Sequence, residues 1–177
     1  MGVKGNSARY GSVAIALHWI SAVAIIIMLG TGFAAALAAE PQKAAILRIH
    51  VPLGVTVLIL TLVRIAWRFF DIRPANPVGQ PRWQAVAAYG VHSLLYLAIA
   101  AIAASGIGLL VLSGAAPVLF FATSGPLPNF SAFTPMTVHT ILAFVLIALV
   151  GGHFGTVLYH QFVRRDRLAS RMGIGEV

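Results

Sequence analysis

Hydrophobic positions in this chain fall into four long, nearly unbroken runs, roughly Val13–Leu37, Ile46–Phe69, Gln84–Leu112 and Pro135–Val163. Each exceeds the ~20 helical residues that cross about 30 Å of hydrocarbon. A membrane strand needs only about 9–11 residues and an alternating pattern, and neither feature occurs here. The runs predict four transmembrane helices in a single all-α domain covering residues 1–177, with no internal repeat or low-complexity segment. The third connection, Ser113–Thr134, has no charged residue, and its Phe120, Phe121, Phe130 and Phe133 place it against the membrane interface.

Composition supports lipid as the solvent. Hydrophobic residues make up 59% of the chain, charged residues 9%, and mean hydropathy is +0.92, whereas soluble domains carry about 25% charged residues. A net charge of +8 would point to nucleic acid in a soluble protein. Here the basic residues flank apolar runs, so the membrane surface is their partner. The absence of cysteine removes disulfides, thiolate metal sites and covalent haem attachment.

Lys4, Arg9, Arg64, Arg68, Arg73, Arg82, Arg164, Arg165, Arg167 and Arg171 fall on one side of the predicted bundle, and only Lys43 and Arg48 on the other. The positive-inside rule then places both termini in the cytoplasm. The first run, with Lys4 and Arg9 before it and the small residues Ala34–Ala39 at its end, has the outline of a secretory signal. A signal's apolar segment is only about 7–15 residues, so an uncleaved span is expected.

Six histidines, His18, His50, His92, His139, His153 and His160, lie in or at the ends of these runs. Ionisable groups are expensive in lipid and usually face a bundle interior, where they mark function. A single one is equally well read as a hydrogen bond to a neighbouring backbone; six in four spans ask for more. By helical rise, His18 lies about 13 Å from Arg9, and His153 about 16 Å from Arg164, so these two share a level in the cytoplasmic half. His50 and His139 form a second pair in the outer half. His139 and His153 lie 14 residues apart, roughly 21 Å on nearly the same face, with His160 seven residues further along that stripe. Two histidines so placed suit one axial ligand each to two stacked haems, since neutral imidazole is a normal iron ligand.

Gly54, Gly151, Gly152 and Gly155 would leave room for a flat porphyrin, although close helix packing also uses such residues. Carboxylate metal sites and proton relays both call for intramembrane acids, and Glu40, Asp71, Asp166 and Glu176 all lie outside the runs. Haem survives this elimination best, with a haem-free histidine-relay transporter as the alternative from another class.

The ordered set of residues is similar to the bacterial cytochrome b561 family over essentially the whole chain. It comprises Arg9 and Tyr10; Ala16, Leu17, His18 and Trp19; His50 with Val63 and Arg64; His92 through Tyr96; and His139, His153 and His160. The resemblance implies a four-helix inner-membrane bundle with two haem b groups and a quinone site. It implies that His18 and His153 ligate the cytoplasmic-side haem iron, and His50 and His139 the periplasmic-side one. His92 and His160 would line a pocket for ubiquinone, or else be interfacial histidines bonded to water and headgroups. Arg82, Trp83 and Tyr159 belong to that pocket or to the interfacial belt, with Trp83 assigned to the belt.

Part of the family oxidises superoxide at the outer haem and reduces ubiquinone. The resemblance therefore implies a superoxide:quinone oxidoreductase in which Lys43 and Arg48, the only outer cations, attract the anion. Arg48 is also read as a partner of haem or of lipid phosphate. The alternative is a cytochrome b subunit that passes electrons between quinone and a periplasmic dehydrogenase or hydrogenase docked on the Ser113–Thr134 loop.

Overall fold

The computed structural model describes residues 2–75, 79–121, 125–166 and 168–175. Arg167 and Glu176 of the charge pattern, and residues 122–124 of the third connection, lie outside the described residues. The elements are α1 (Ser12–Leu37), α2 (Gln42–Trp67), α3 (Arg82–Ser113), the short α4 (Ala116–Phe120) and α5 (Thr134–Leu158). α5 continues through a π-helical turn, Tyr159–Arg164, and a 3-10 turn, Leu168–Met172, follows. No strand occurs among the described residues, and the chain is a four-helix membrane bundle whose spans are α1, α2, α3 and α5 with its π turn.

Local chemistry sets the ends. α3 follows Pro81, and α5 carries Pro135 in its first turn, where a missing N–H costs nothing. α3 stops at Gly114, which takes the left-handed conformation (φ 65°) open to glycine. α2 departs from the run read off hydropathy. It starts at Gln42 rather than Ile46 and ends at Trp67 rather than Phe69. Polar Gln42 and Lys43 form the first turn, which hydropathy does not register, while Phe69 and Phe70 belong to the turn beyond the helix.

Several hydroxyls inside the spans satisfy themselves on their own helix, as lipid demands. Ser21 donates to the Leu17 carbonyl, Thr61 to Val57, and Thr156 to Gly152. Large apolar side chains such as Ile26 and Phe144 stay exposed on the outside of the bundle, a surface suited to acyl chains and not to water.

α1 packs chiefly on α2, and α3 on α5, with α2 against α3. The two hairpins match in register. Ala24, Ile25 and Met28 of α1 and Ala98, Ile99 and Ile102 of α3 supply the same buried pattern. Val57 of α2 and Leu146 of α5, 1% and 0% exposed, join them in the core. Val57 lies seven residues beyond His50 and seven before Arg64; Leu146 has the same relation to His139 and His153. The apolar core therefore sits midway between two layers of polar side chains. This two-fold likeness lies in the spacing of core and polar positions, which hydropathy cannot show because almost every span position is apolar.

At the end of the bundle holding the termini, three segments are tied together. The Gly5 N–H donates to the Asp71 carboxylate (2.7 Å), the Ala75 N–H to the Ser7 carbonyl, and Arg171 Nη1 to the Ala75 carbonyl. Trp19 Nε1 on α1 donates to the Met172 carbonyl at 3.0 Å.

Candidate functional site: two histidine layers inside the bundle

The layer remote from the termini, called outer below, is built alike from both hairpins. His50 on α2 and His139 on α5 lie with ring centroids 6.2 Å apart and ring planes at 75°. His50 Nδ1 lies 3.1 Å from the Met28 carbonyl and 3.2 Å from Thr31 Oγ1. His139 Nδ1 lies 3.1 Å from the Ile102 carbonyl and 3.0 Å from Ser105 Oγ. A carbonyl only accepts, so each Nδ1 carries the ring hydrogen and donates it, which leaves each Nε2 lone pair open. Each hydroxyl donates its own proton to the helix backbone, Thr31 to Ile27 and Met28, Ser105 to Ile102, and so accepts from the ring.

A glycine lies behind each ring. A Cβ at Gly32 would come 3.0 Å from His50 Cε1, and one at Gly106 3.2 Å from His139 Cε1. Met28, Thr31 and Gly32 thus do for His50 what Ile102, Ser105 and Gly106 do for His139, with the same i, i+3, i+4 spacing. None of these six was singled out from the sequence; the repeated spacing around paired histidines was the available signal.

The inner layer brings together His18 of α1, Arg64 of α2, His92 of α3 and His153 of α5. His18 and His153 have ring centroids 6.3 Å apart, while His92 lies closer to His153 at 5.2 Å. His18 and His92 fall ten residues before Met28 and Ile102; Arg64 and His153 fall fourteen after His50 and His139. The two-fold likeness therefore pairs His18 with His92 and sets Arg64 where the other hairpin has His153. Arg64 Nη2 donates to His18 Nδ1 at 3.0 Å, and its guanidinium lies 5.8 Å from the Tyr96 ring centre. His92 Nδ1 donates to the Ala88 carbonyl at 2.6 Å.

These separations can be compared with what a shared iron needs. With metal–nitrogen bonds of about 2 Å and each ring centre about 1 Å behind its Nε2, two axial imidazoles have centroids about 6 Å apart. Both 6.2 and 6.3 Å meet this, and the outer rings have the required tautomer too. For the inner pair the bond from Arg64 must open first, because it holds the Nδ1 lone pair. At Gly151, Gly152 and Gly155 a Cβ would meet no atom within 4 Å, and at Gly54 only Met28 Sδ at 3.8 Å. Close helix packing does not account for the first three. Among the described residues no three His, Asp or Glu side chains converge as a conventional metal site, which leaves the facing pairs.

Residues 9–175 match the family described as prokaryotic cytochrome b561. The chain belongs to the prokaryotic cytochrome b561 family. Membership makes it a multi-pass bacterial membrane protein of electron transfer that binds haem b. A Yersinia pestis protein named "Probable superoxide oxidase CybB" is 26% identical over 168 residues, 93% of this chain and 95% of its own length. Cytochrome b561 homolog 2 of Escherichia coli K12 is 25% identical over 185 residues, 97% and 95% of the two chains. Cytochrome b561 homolog 1 of the same organism is 24% identical, covering 93% and 96%.

The remaining candidates stand as follows. His160, buried in the π turn, donates from Nδ1 to Asp166 Oδ2 at 2.7 Å, and Arg164 Nε approaches the same oxygen at 3.5 Å. Arg164 also donates to Gln84 at the start of α3. His92 and His160 thus have separate partners. Tyr159 lies with its ring 5.8 Å from that of His160 and is half exposed; Trp83 is 68% exposed, as a belt residue is. Arg82 forms the first turn of α3. At the other end Arg48 donates to the Leu119 carbonyl (3.0 Å) and the Val118 carbonyl (3.4 Å), binding α4 to α2. Lys43 stands in the first turn of α2. Asp166 and Arg64 gain roles here that sequence reasoning did not give them.

Proposed function

We propose that the chain carries two b haems and passes electrons from superoxide on the periplasmic side to ubiquinone near the cytoplasmic side. His50 and His139 would hold the outer haem, His18 and His153 the inner one. The observation that carries this reading is the pair of imidazole separations, 6.2 and 6.3 Å, at two levels of one bundle. The name of the Yersinia pestis relative supports superoxide as donor. The basic end, with both termini, is the cytoplasmic end.

Haem b supplies reversible one-electron chemistry when bound. The protein's part is binding, orientation and proton supply. Met28 and Ile102 fix the tautomer of the outer ligands, and Gly32 and Gly106 give their rings space. Lys43 and Arg48 present positive charge to a small anion on a face that has no other. Two superoxide ions each give up one electron and leave as dioxygen. Ubiquinone takes up those two electrons with two protons to become ubiquinol. His160, hydrogen-bonded to Asp166 at the cytoplasmic end, hands protons to a quinone oxygen, and His92, whose Nδ1 hydrogen is held by the Ala88 carbonyl, lines the pocket.

The test is a reduced-minus-oxidised spectrum with a pyridine haemochrome count, followed by superoxide consumption with and without a soluble ubiquinone. Two haems per chain and quinone-dependent superoxide loss are expected. One haem removes one histidine pair from the assignment, and a colourless protein removes both. Two haems without quinone-dependent superoxide loss leave the ligands and reject the reaction.

A further inference from the structure

We infer that the neighbours of the histidines hold the two layers at different reduction potentials. Thr31 and Ser105 pull the outer one down and Arg64 lifts the inner one, so that electrons run downhill from the outer end to the inner. This rests on the ligand assignment proposed above.

Each outer ring gives its Nδ1 hydrogen to two oxygens at once, a backbone carbonyl and a hydroxyl, all four contacts between 3.0 and 3.2 Å. Drawing that hydrogen toward acceptors makes the ring a stronger donor through Nε2. A more electron-rich ligand stabilises oxidised iron, and hydrogen bonding of this kind is one of the levers that set a haem's potential. Both outer ligands receive the same treatment, so their effects act in one direction.

The inner layer differs in kind. Among the described residues His18 Nδ1 is met by the guanidinium of Arg64, a group that only donates and that stays charged beside the ring once this bond opens. Reduced iron carries one positive charge fewer than oxidised iron, so a fixed cation nearby favours reduction. Among the described residues Arg64 is half-buried beside Tyr96 and His18, and the acids lie outside the helices, Glu40, Asp71 and Asp166. Of the two outer cations, Lys43 stands in the first turn of α2 and Arg48 is exposed and bonded to the carbonyls of α4, where solvent ions screen it. The asymmetry follows from the architecture, because Arg64 occupies in one hairpin the register that His153 occupies in the other.

Redox titration of the purified two-haem protein, followed optically, tests this. His50→Ala identifies the outer midpoint by its loss. Thr31→Val with Ser105→Ala is expected to move that midpoint upward, by about 59 mV for a tenfold change in the one-electron equilibrium, and to leave the inner one in place. Arg64→Met is expected to lower the inner midpoint alone, and Arg64→Lys to restore it. A role confined to folding would change haem retention but not separate the two midpoints in opposite directions. Two bound haems whose midpoints ignore these substitutions, or move together, overturn the inference while the ligand assignment stands. A wild-type chain with fewer than two haems overturns both.

Discussion

The guanidinium of Arg64 on α2 donates to Nδ1 of His18 on α1 at 3.0 Å. A neutral imidazole has one open lone pair, so this bond puts the ring hydrogen on Nε2, the atom that would face iron. Filling the inner pair therefore requires the bond to break. A hydrogen bond to a charged group contributes about 1.5–3 kcal/mol, and Arg64 is half-buried, so the lower figure applies. Arg64→Met is expected to take up haem at the inner pair roughly tenfold more readily. Titrating hemin into haem-depleted protein measures it; unchanged uptake would mean that the bond is worth nothing to the unloaded protein.

Each ligand pair makes a separate demand. Replacing His50 or His139 with Ala is expected to leave one haem per chain, and so is replacing His18 or His153. The double variant His50→Ala/His139→Ala should also retain one haem, while His50→Ala/His153→Ala should retain none. Haem counting on the purified variants decides it. A His50→Ala chain that still carries two haems would exclude the outer pair.

Two glycines on α1, one turn-fraction apart, predict opposite effects. A Cβ at Gly32 would press on the His50 ring, whereas at Gly30 it would meet nothing within 4 Å. Gly30→Ala is expected to stabilise α1 by about 0.5–1 kcal/mol, the conformational cost of glycine in a helix. Gly32→Ala is expected to destabilise by about 1–3 kcal/mol and to loosen the outer haem. Thermal loss of the haem spectrum in the two variants compares them directly.

The same glycines show where sequence reading reaches its limit. The four spans and the histidine layers were legible, because long apolar runs and rare ionisable groups stand out against lipid-compatible composition. The depth argument from helical rise paired His18 with His153 and His50 with His139, the pairs whose rings face each other in the structure. Thr31, Ser105, Gly32 and Gly106 were not legible, since small and hydroxyl residues are common in membrane helices and serve packing as readily as function. Their meaning depends on which helix each faces, and apolar sides toward lipid and toward the interior look alike. Arg64 was visible only in the count of flanking charge and as part of a motif; its bond to His18 needs two helices in register. Asp166 was set aside for lying outside the spans, yet the chain turns back after the π turn and brings it to His160.

That last contact bears on proton supply. His160 and Asp166 are 2.7 Å apart at the end of the bundle that holds the termini, with Arg164 on the same carboxylate. A positioned acid–base group contributes about 10²–10⁴-fold to proton transfer. His160→Ala is expected to slow ubiquinone reduction by at least about tenfold while haem content and reduction of the haems by dithionite stay unchanged. Asp166→Asn, which keeps an oxygen for the ring to donate to, should fall between that variant and wild type. Quinone-reduction rates under saturating superoxide give the order, and a wild-type rate in His160→Ala would move proton entry elsewhere.

At the end of the bundle remote from the termini, salt separates the two tasks proposed for Arg48. It binds the Leu119 and Val118 carbonyls, near the negative end of α4, and in the proposed reaction it would attract superoxide. Arg48→Gln keeps donors for those carbonyls and removes the charge. Long-range attraction is screened beyond about 10 Å at 0.1 M ionic strength, so the wild-type superoxide rate at low substrate should fall as salt rises. In Arg48→Gln the rate is expected to start several-fold lower at low salt and to depend less on salt, with Lys43 left to supply the remainder. Hydrogen exchange over Ala116–Phe120 should stay close to wild type in this variant and rise in Arg48→Ala, where the donors are lost as well. Equal salt dependence in wild type and Arg48→Gln, with exchange rising only in Arg48→Ala, would leave Arg48 as the residue that fastens α4 and remove it from superoxide capture.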